Sequence, residues 1–286
     1  MTNTTSERSI RTISLPSGRL IPVLGQGTWH MAEDRSRRAE EIASLRLGID
    51  LGLTLIDTAE MYADGESERL VGEAIVGRRK EVFLVSKVLP SHARRRSVAE
   101  ACERSLKRLR TDHLDMYLLH WRGEVQLYET IDAFEALIDG GRILEWGVSN
   151  FGVPDMQELA SLTTPGSIAC DQVLYNLSKR GIEWDLMPWC DEHRIPIMAY
   201  SPIEQGRILH NRAVQRIADR HDVSPASVAL AWVLHHERVG AIPKAAAPEH
   251  VRENRAALDV QLTNDDTAAL DREFPPPNGP VPLEMH

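Results

Sequence analysis

Eight short apolar runs, each followed by a stretch with helical spacing, leave this chain little choice of fold. The runs cover 24–27, 53–57, 82–87, 114–120, 144–149, 168–173, 195–200 and 239–243. Helical spacing of apolar residues marks 38–51, 67–76, 129–138, 154–162, 184–193 and 225–235. A further helix is announced by the capping-box pattern Ser97-Val-Ala-Glu100, one starts near Pro248 and another follows Thr263. Ser224 and Pro225 fit the cap and first position of the helix at 225–235. Strict strand–helix alternation implies a parallel sheet with right-handed crossovers. Eight such units in 286 residues fit a (β/α)8 TIM barrel, an α/β fold, as one domain spanning 1–286. A β-hairpin at 11–23 precedes it, turning at Pro16-Ser17-Gly18. A tail at 274–286, with prolines at 275–277, cannot extend a helix.

Composition removes several function classes. Net charge is -9 and no basic run is longer than Arg94-Arg95-Arg96, so nucleic acid is not an expected partner. No apolar run approaches the roughly 20 residues of a membrane span, and the start of the chain lacks the apolar core of a signal peptide. Three cysteines, an odd number, argue against a disulfide framework and for a reducing cytoplasm. No His-x-His pattern ends a strand, and His235 and His236 fall on adjacent, diverging helix positions, so no metal is expected. A monomer is the expected state.

The chemistry lies at the ends of three consecutive runs. The run at 53–57 ends in Asp57, with Tyr62 on its exit loop; the next ends in Lys87 and the third in His120. Alternation along a strand puts Asp57 on the face of Leu53 and Leu55, Lys87 with Phe83 and Val85, and His120 with Met116 and Leu118. In neighbouring parallel strands these four groups gather at one rim. An isolated phenol, with a pKa of about 10, is a poor proton donor near neutrality. A lysine ammonium beside it is expected to lower that value, with Asp57 holding Lys87 protonated. His120 could hydrogen-bond a substrate oxygen. No nucleophile with a partnered base is evident, so a carbonyl carbon facing this set would need hydride from a bound cofactor. Taken singly, each residue has a plainer role. Asp57 could cap a helix or form an ion pair, Tyr62 could be a packing aromatic and His120 a core histidine. Lys87 could lie on the surface, or form a Schiff base as in barrel lyases.

The motifs Ile56-Asp-Thr-Ala-Glu-Met-Tyr62, Val85-Ser-Lys87, Leu118-Leu-His-Trp121, Gly147-Val-Ser-Asn-Phe151, Asp171-Gln-Val173, Ala199-Tyr-Ser-Pro202 and Ile242-Pro-Lys244 carry a resemblance over essentially the whole chain. The chain resembles the aldo-keto reductase superfamily, in particular its bacterial methylglyoxal reductase and 2,5-diketo-gluconate reductase type. The resemblance implies a catalytic set of Asp57, Tyr62, Lys87 and His120, with Tyr62 as acid/base. It implies NADPH-dependent reduction of small aldehydes and ketones, including dicarbonyls, by direct hydride transfer. It further implies that Ser149, Asn150 and Gln172 bond the nicotinamide carboxamide and that Tyr200 stacks on its ring. Gly27, Thr28 and Asp57 would lie along the cofactor. Ser201, Pro202, Ile203, Gln205 and Arg207 would approach the pyrophosphate, Lys244 and His250 the 2′-phosphate end, and Glu253 and Asn254 the adenine. No Gly-x-Gly-x-x-Gly turn exists, so a Rossmann site is not the source of dinucleotide binding.

Two positions depart from the family pattern. Ala245 and His250 stand where relatives often carry Ser and Arg, so NADH is admitted as a second cofactor. Trp29, Met61, Tyr62, His120 and Trp121 are expected to line a substrate pocket for a small carbonyl compound, with help from the loop at 122–127 and the tail. Two further readings stay open: a nucleotide-sensing regulatory protein on the same fold, and a Schiff-base lyase using Lys87.

Overall fold

The computed structural model describes residues 10–286. A hairpin of β1 (Thr12–Ser14) and β2 (Leu20–Pro22) leads into β3 (Gln26–Gly27) and α1 (Arg38–Asp50). There follow β4 (Leu55–Asp57), α2 (Glu66–Ala74), β5 (Phe83–Val88), α3 (Arg95–Leu109), β6 (Leu114–Leu119), α4 (Leu127–Asp139), β7 (Ile143–Ser149) and α5 (Val153–Ser161). The chain continues through β8 (Ile168–Leu174), α6 (Leu186–Glu192), β9 (Ile197–Tyr200), α7 (Arg212–His221), α8 (Pro225–Val233), β10 (Val239–Ala241), α9 (Pro248–Ala256) and α10 (Asn264–Glu273). The strands from β3 to β10 lie side by side in chain order and all pair in parallel. The two ends meet: Gly25 N donates to Ala241 O at 2.8 Å and Ala241 N to Val23 O at 2.7 Å, and Gly27 bridges Lys244. This is the (β/α)8 barrel with its preceding hairpin. Among the described residues, no helix is long and apolar enough to cross a membrane.

Local chemistry explains the elements. All residues of β5, β6 and β8 are buried, as strands covered on both faces must be, which is why they read as mainly apolar runs. Ser224 caps α8 by accepting from Ser227 N, with Pro225 at its first position, and Thr263 and Asp266 form a capping box on α10. Gly27 is glycine for space: a Cβ there would lie 2.5 Å from Ile242 O, where the barrel closes.

The structure differs from expectation in two places. The pattern at Ser97 is not a cap: α3 starts two residues earlier, behind an extended Arg94, and Glu100 pairs with Arg96 at 2.8 Å instead of reaching back to a helix start. The second difference is α7, absent from the expected elements although Ala213, Val214, Ile217 and Ala218 sit at helical spacing and form its buried face. Its start is set by Asn211, whose side chain accepts from Ala213 N at 2.8 Å.

The hairpin closes the N-terminal end of the barrel. Arg19 donates to Asp115 at 2.9 Å and lies over the Phe83 ring, and Ser17 donates to Glu145 at 2.7 Å. Polar groups that plug this end leave the opposite rim open, which is the end where barrel sites are built.

Asp171, in the middle of β8, is fully buried and neither carboxyl oxygen has a side-chain partner among the described residues. Burial pushes its carboxyl well above the usual range, with the Phe151 backbone N–H acting against it. A raised folded-state pKa favours the protonated form in the fold, so this contribution is fully present below an ordinary aspartate pKa of about 3.9 and is lost as pH rises through the folded value. Asp171→Asn, which cannot ionise, is expected to match the parent near an ordinary aspartate pKa of about 4 and to melt a few degrees higher at mildly alkaline pH, about 8. Parallel melting-temperature curves for the two proteins across that range would contradict this.

Candidate active site

The rim opposite the hairpin brings Asp57, Tyr62, Lys87 and His120 together. The in-register pairs Asp57 with Val85 and Lys87 with Leu118 turn both ionisable side chains into the barrel. Lys87 is fully buried, and its ammonium donates to Asp57 Oδ2 at 2.7 Å, Thr58 O at 2.9 Å and Tyr62 Oη at 3.1 Å. An ammonium has three protons, and all three are used. Asp57 Oδ1 accepts from Gln172 Nε2 at 2.8 Å, so the carboxylate is bonded from both sides. Tyr62 is delivered by a tight reversal in which Ala63 and Asp64 both adopt left-handed φ, 47° and 52°. Such backbone persists only where its surroundings enforce it.

Electrostatics follow from burial. Burial works against the Lys87 charge, but Asp57 and the Tyr62 oxygen outweigh it and hold the ammonium above the ordinary lysine range. Burial also raises the Asp57 carboxyl, opposed by Lys87 and Gln172. Removing one partner of such a buried pair costs roughly 3–5 kcal/mol, because the other charge is left uncompensated. For Tyr62 the expectation of a lowered pKa is corrected: burial raises it, Lys87 lowers it, Asp57 raises it again, and the net shift is upward. Burial is the largest of these effects, and the Asp57 carboxylate offsets part of what the ammonium does to favour a phenolate. His120 is buried, and burial together with the Lys87 charge pushes its imidazole down to about 2, so the ring is neutral.

One wall is a hydrogen-bonded chain. Ser149 Oγ donates to Gln172 O at 2.8 Å, and Asn150 Nδ2 donates to His120 O and Ser149 Oγ, each at 3.1 Å. Tyr200 Oη donates to Asn150 Oδ1 at 2.9 Å. Asn150 adopts φ 60°, a conformation asparagine tolerates better than most residues. The left-handed backbone of Ser201 and Gln205 shapes the loop after β9, which Asn176 pins by donating to Ser201 O at 3.0 Å and Glu204 Oε2 at 2.6 Å.

These groups surround a cavity of about 570 Å³. Of the residues singled out in the sequence, Gly27, Thr28, Ser149, Asn150, Gln172, Tyr200, Ser201, Pro202, Ile203, Gln205, Lys244 and His250 line it, as do Trp29, Met61, Tyr62, His120 and Trp121. Arg207, Glu253 and Asn254 stand outside it: Arg207 donates to Glu204 at 2.6 Å, the Glu253 carbonyl accepts from Ser227, and Asn254 is buried. The loop at 122–127 also falls outside the lining, with Arg122 donating to Glu158 at 3.1 Å. Sequence reasoning did not single out His30 or Leu209, while the tail expected at the mouth supplies Met285 and His286. His286 reaches the cavity on the irregular tail, its ring 6.1 Å from Trp29 and 6.2 Å from Tyr200. No periodic signal marks such a residue.

Comparison with known proteins agrees with this geometry. The pattern of the aldo/keto reductase family matches residues 23–273. The methylglyoxal reductase YeaE of Escherichia coli is 53% identical over 270 residues, covering 93% of this chain and 95% of that protein. A glyoxal reductase of Bacillus subtilis is 32% identical over 260 residues, covering 91% of each. Among solved structures, an aldo/keto reductase from Klebsiella pneumoniae in complex with NADP and acetate superimposes with a TM-score of 0.94 at 49% identity, covering 97% of this chain and 100% of that one.

The neutrality of His120 is open to direct measurement. Nitrogen NMR of the imidazole is expected to show a neutral ring throughout about pH 5–8, where an unperturbed histidine titrates near 6.5. A titration step of His120 inside that window would contradict the assignment.

Proposed function

The chain belongs to the aldo/keto reductase family, and from that premise we propose that it reduces small aldehydes and dicarbonyls such as methylglyoxal with NADPH, Tyr62 donating the proton. The observation that carries this reading is the buried Lys87 ammonium held between Asp57 and the Tyr62 hydroxyl, two groups on the wall of a ligand-sized cavity.

The donor set fits a dinucleotide. Lys244 is exposed on the cavity wall and has no ion pair among the described residues, a cation available to a phosphate dianion. Gln172 gives its Nε2 to Asp57, so its Oε1 can accept from a carboxamide, and Asn150 Oδ1 has a second lone pair to offer. The Tyr200 ring offers an aromatic face to a planar group. Ser201, Pro202, Ile203 and Gln205 would hold the phosphate backbone of the cofactor. When bound, NADPH supplies the hydride that the carbonyl carbon receives.

The protein's own residues then manage the oxygen. Tyr62 stays protonated at working pH because burial opposes its ionisation, so a proton is ready as the oxygen gains charge. Lys87 steadies the phenolate that remains, and Asp57 keeps Lys87 charged. His120, neutral and with no partner at Nδ1 among the described residues, has Nε2 to donate to the carbonyl oxygen. Trp29, Met61 and Trp121 supply apolar walls suited to compact substrates. A Schiff base would require Lys87 as a free amine, whereas its three donors are engaged and its charge is stabilised, which supports reduction over a lyase reaction.

Tyr62→Phe is the test. With methylglyoxal and NADPH, kcat is expected to fall by about 10²- to 10⁴-fold while fluorescence titration shows unaltered NADPH binding. A variant that retains parental turnover would remove Tyr62 from the role of acid.

A further inference from the structure

Glu60 lies two residues before Tyr62 and is buried, and its carboxylate bonds to groups outside the set just described. Its Oε1 accepts from Leu89 N at 2.8 Å and lies 2.9 Å from His92 Nδ1, and Oε2 lies 3.6 Å from Arg104. Leu89 is itself two residues beyond Lys87. One carboxylate therefore joins the loop that carries the phenol to the loop that leaves the ammonium.

The backbone follows the same plan. Thr58 N donates to Val85 O at 3.0 Å and Glu60 N to Lys87 O at 3.3 Å, so residues 58–60 continue the pairing of β4 with β5 beyond the strand end. Regular pairing stops there, before the reversal whose left-handed residues are Ala63 and Asp64. The next backbone bond on the path to the phenol is local, from Tyr62 N to Ala59 O at 3.1 Å. The Glu60 side chain takes over where the ladder ends.

We propose that Glu60 is a positioning residue for the reduction, a clamp that sets the distance between the Tyr62 hydroxyl and the Lys87 ammonium. This rests on the proposed function for its catalytic consequence, but the distance itself is independent of that reading. A hydrogen bond from a backbone N–H to a buried carboxylate is charge-assisted and strong, and losing it strips a partly buried N–H of its partner. Proton donation is sensitive to displacements on the order of 1 Å. A loosened loop would therefore lower turnover while the cofactor-facing groups on the other loops, Ser149, Asn150, Gln172 and Tyr200, stay in place.

Three variants isolate the clamp. Glu60→Ala removes the acceptor, and Glu60→Gln keeps an oxygen to accept from Leu89 N. Leu89→Pro deletes the donor on a backbone already at φ -67°, a value proline adopts. The readouts are kcat and KM for methylglyoxal, the solvent deuterium isotope effect, and the Tyr62 ¹³Cζ resonance, assigned by its absence in Tyr62→Phe. Glu60→Ala and Leu89→Pro are expected to lose about 10- to 100-fold in kcat with KM little changed, to show a larger solvent isotope effect, and to shift the Tyr62 resonance. Glu60→Gln should stay close to the parent in all three. If Glu60→Ala does not fold, Leu89→Pro and Glu60→Gln carry the comparison. An unmoved Tyr62 resonance in the folded variants overturns the proposal, as does a fall in melting temperature with kcat and the isotope effect unchanged. Should the parent reduce no carbonyl while the resonance still moves, the reading of function fails and the clamp stands.

Discussion

The rim is organised by a buried ammonium that must find three acceptors. Lys87 is fully enclosed by the barrel, and Asp57, the Thr58 carbonyl and the Tyr62 hydroxyl meet its three protons. All three acceptors come from one short stretch of chain, residues 57–62. Satisfying the cation therefore folds that loop, and folding the loop places the phenol. Gln172 completes the arrangement from across the barrel by bonding the other Asp57 oxygen. Because a buried charge without partners is expensive, the same contacts that permit catalysis also make the site rigid.

That arrangement also changes what the lysine can do. A free ammonium beside a phenol would pull its pKa down, but here the ammonium is matched with a carboxylate and the surroundings are buried. The phenol consequently holds its proton more tightly than tyrosine in water. For the donor role proposed for Tyr62 this is serviceable, since the proton would be needed only when a carbonyl oxygen becomes strongly basic in the transition state. On the same proposal Lys87 would act chiefly at that moment, when a phenolate appears next to it. His120 is kept neutral by burial and by the same ammonium, which suits a hydrogen-bond donor better than a second charge.

Much of this is legible in the sequence because strand burial leaves a strong trace. Runs such as 82–87 and 114–120 are mainly apolar on both faces, with Ser86 and Asp115 as exceptions, and end in an ionisable residue, so their class and direction show in one dimension. The facing of Asp57, Lys87 and His120 follows from period-two alternation. Other features leave no such trace. Helix α7 shows only a short apolar face, Ala213, Val214, Ile217 and Ala218, among charged residues, with Asn211 as its cap. The pattern at Ser97 has the letters of a cap without its geometry, because α3 continues upstream. Met285 and His286 enter the cavity on irregular chain. The direction of the Tyr62 shift depends on how enclosed and how neutral its surroundings are, which a one-dimensional pattern does not encode.

The central claim is that burial, with Asp57 offsetting part of the Lys87 charge, leaves the ammonium unable to ionise the phenol beside it. A pH titration of the Tyr62 ¹³Cζ resonance in the free protein addresses it most directly. The account predicts no ionisation until above about pH 10, the range of an ordinary tyrosine. A Tyr62 resonance that titrates at or below about pH 8, well under that ordinary range, would contradict it and would return the ammonium to the role of an acidifying charge.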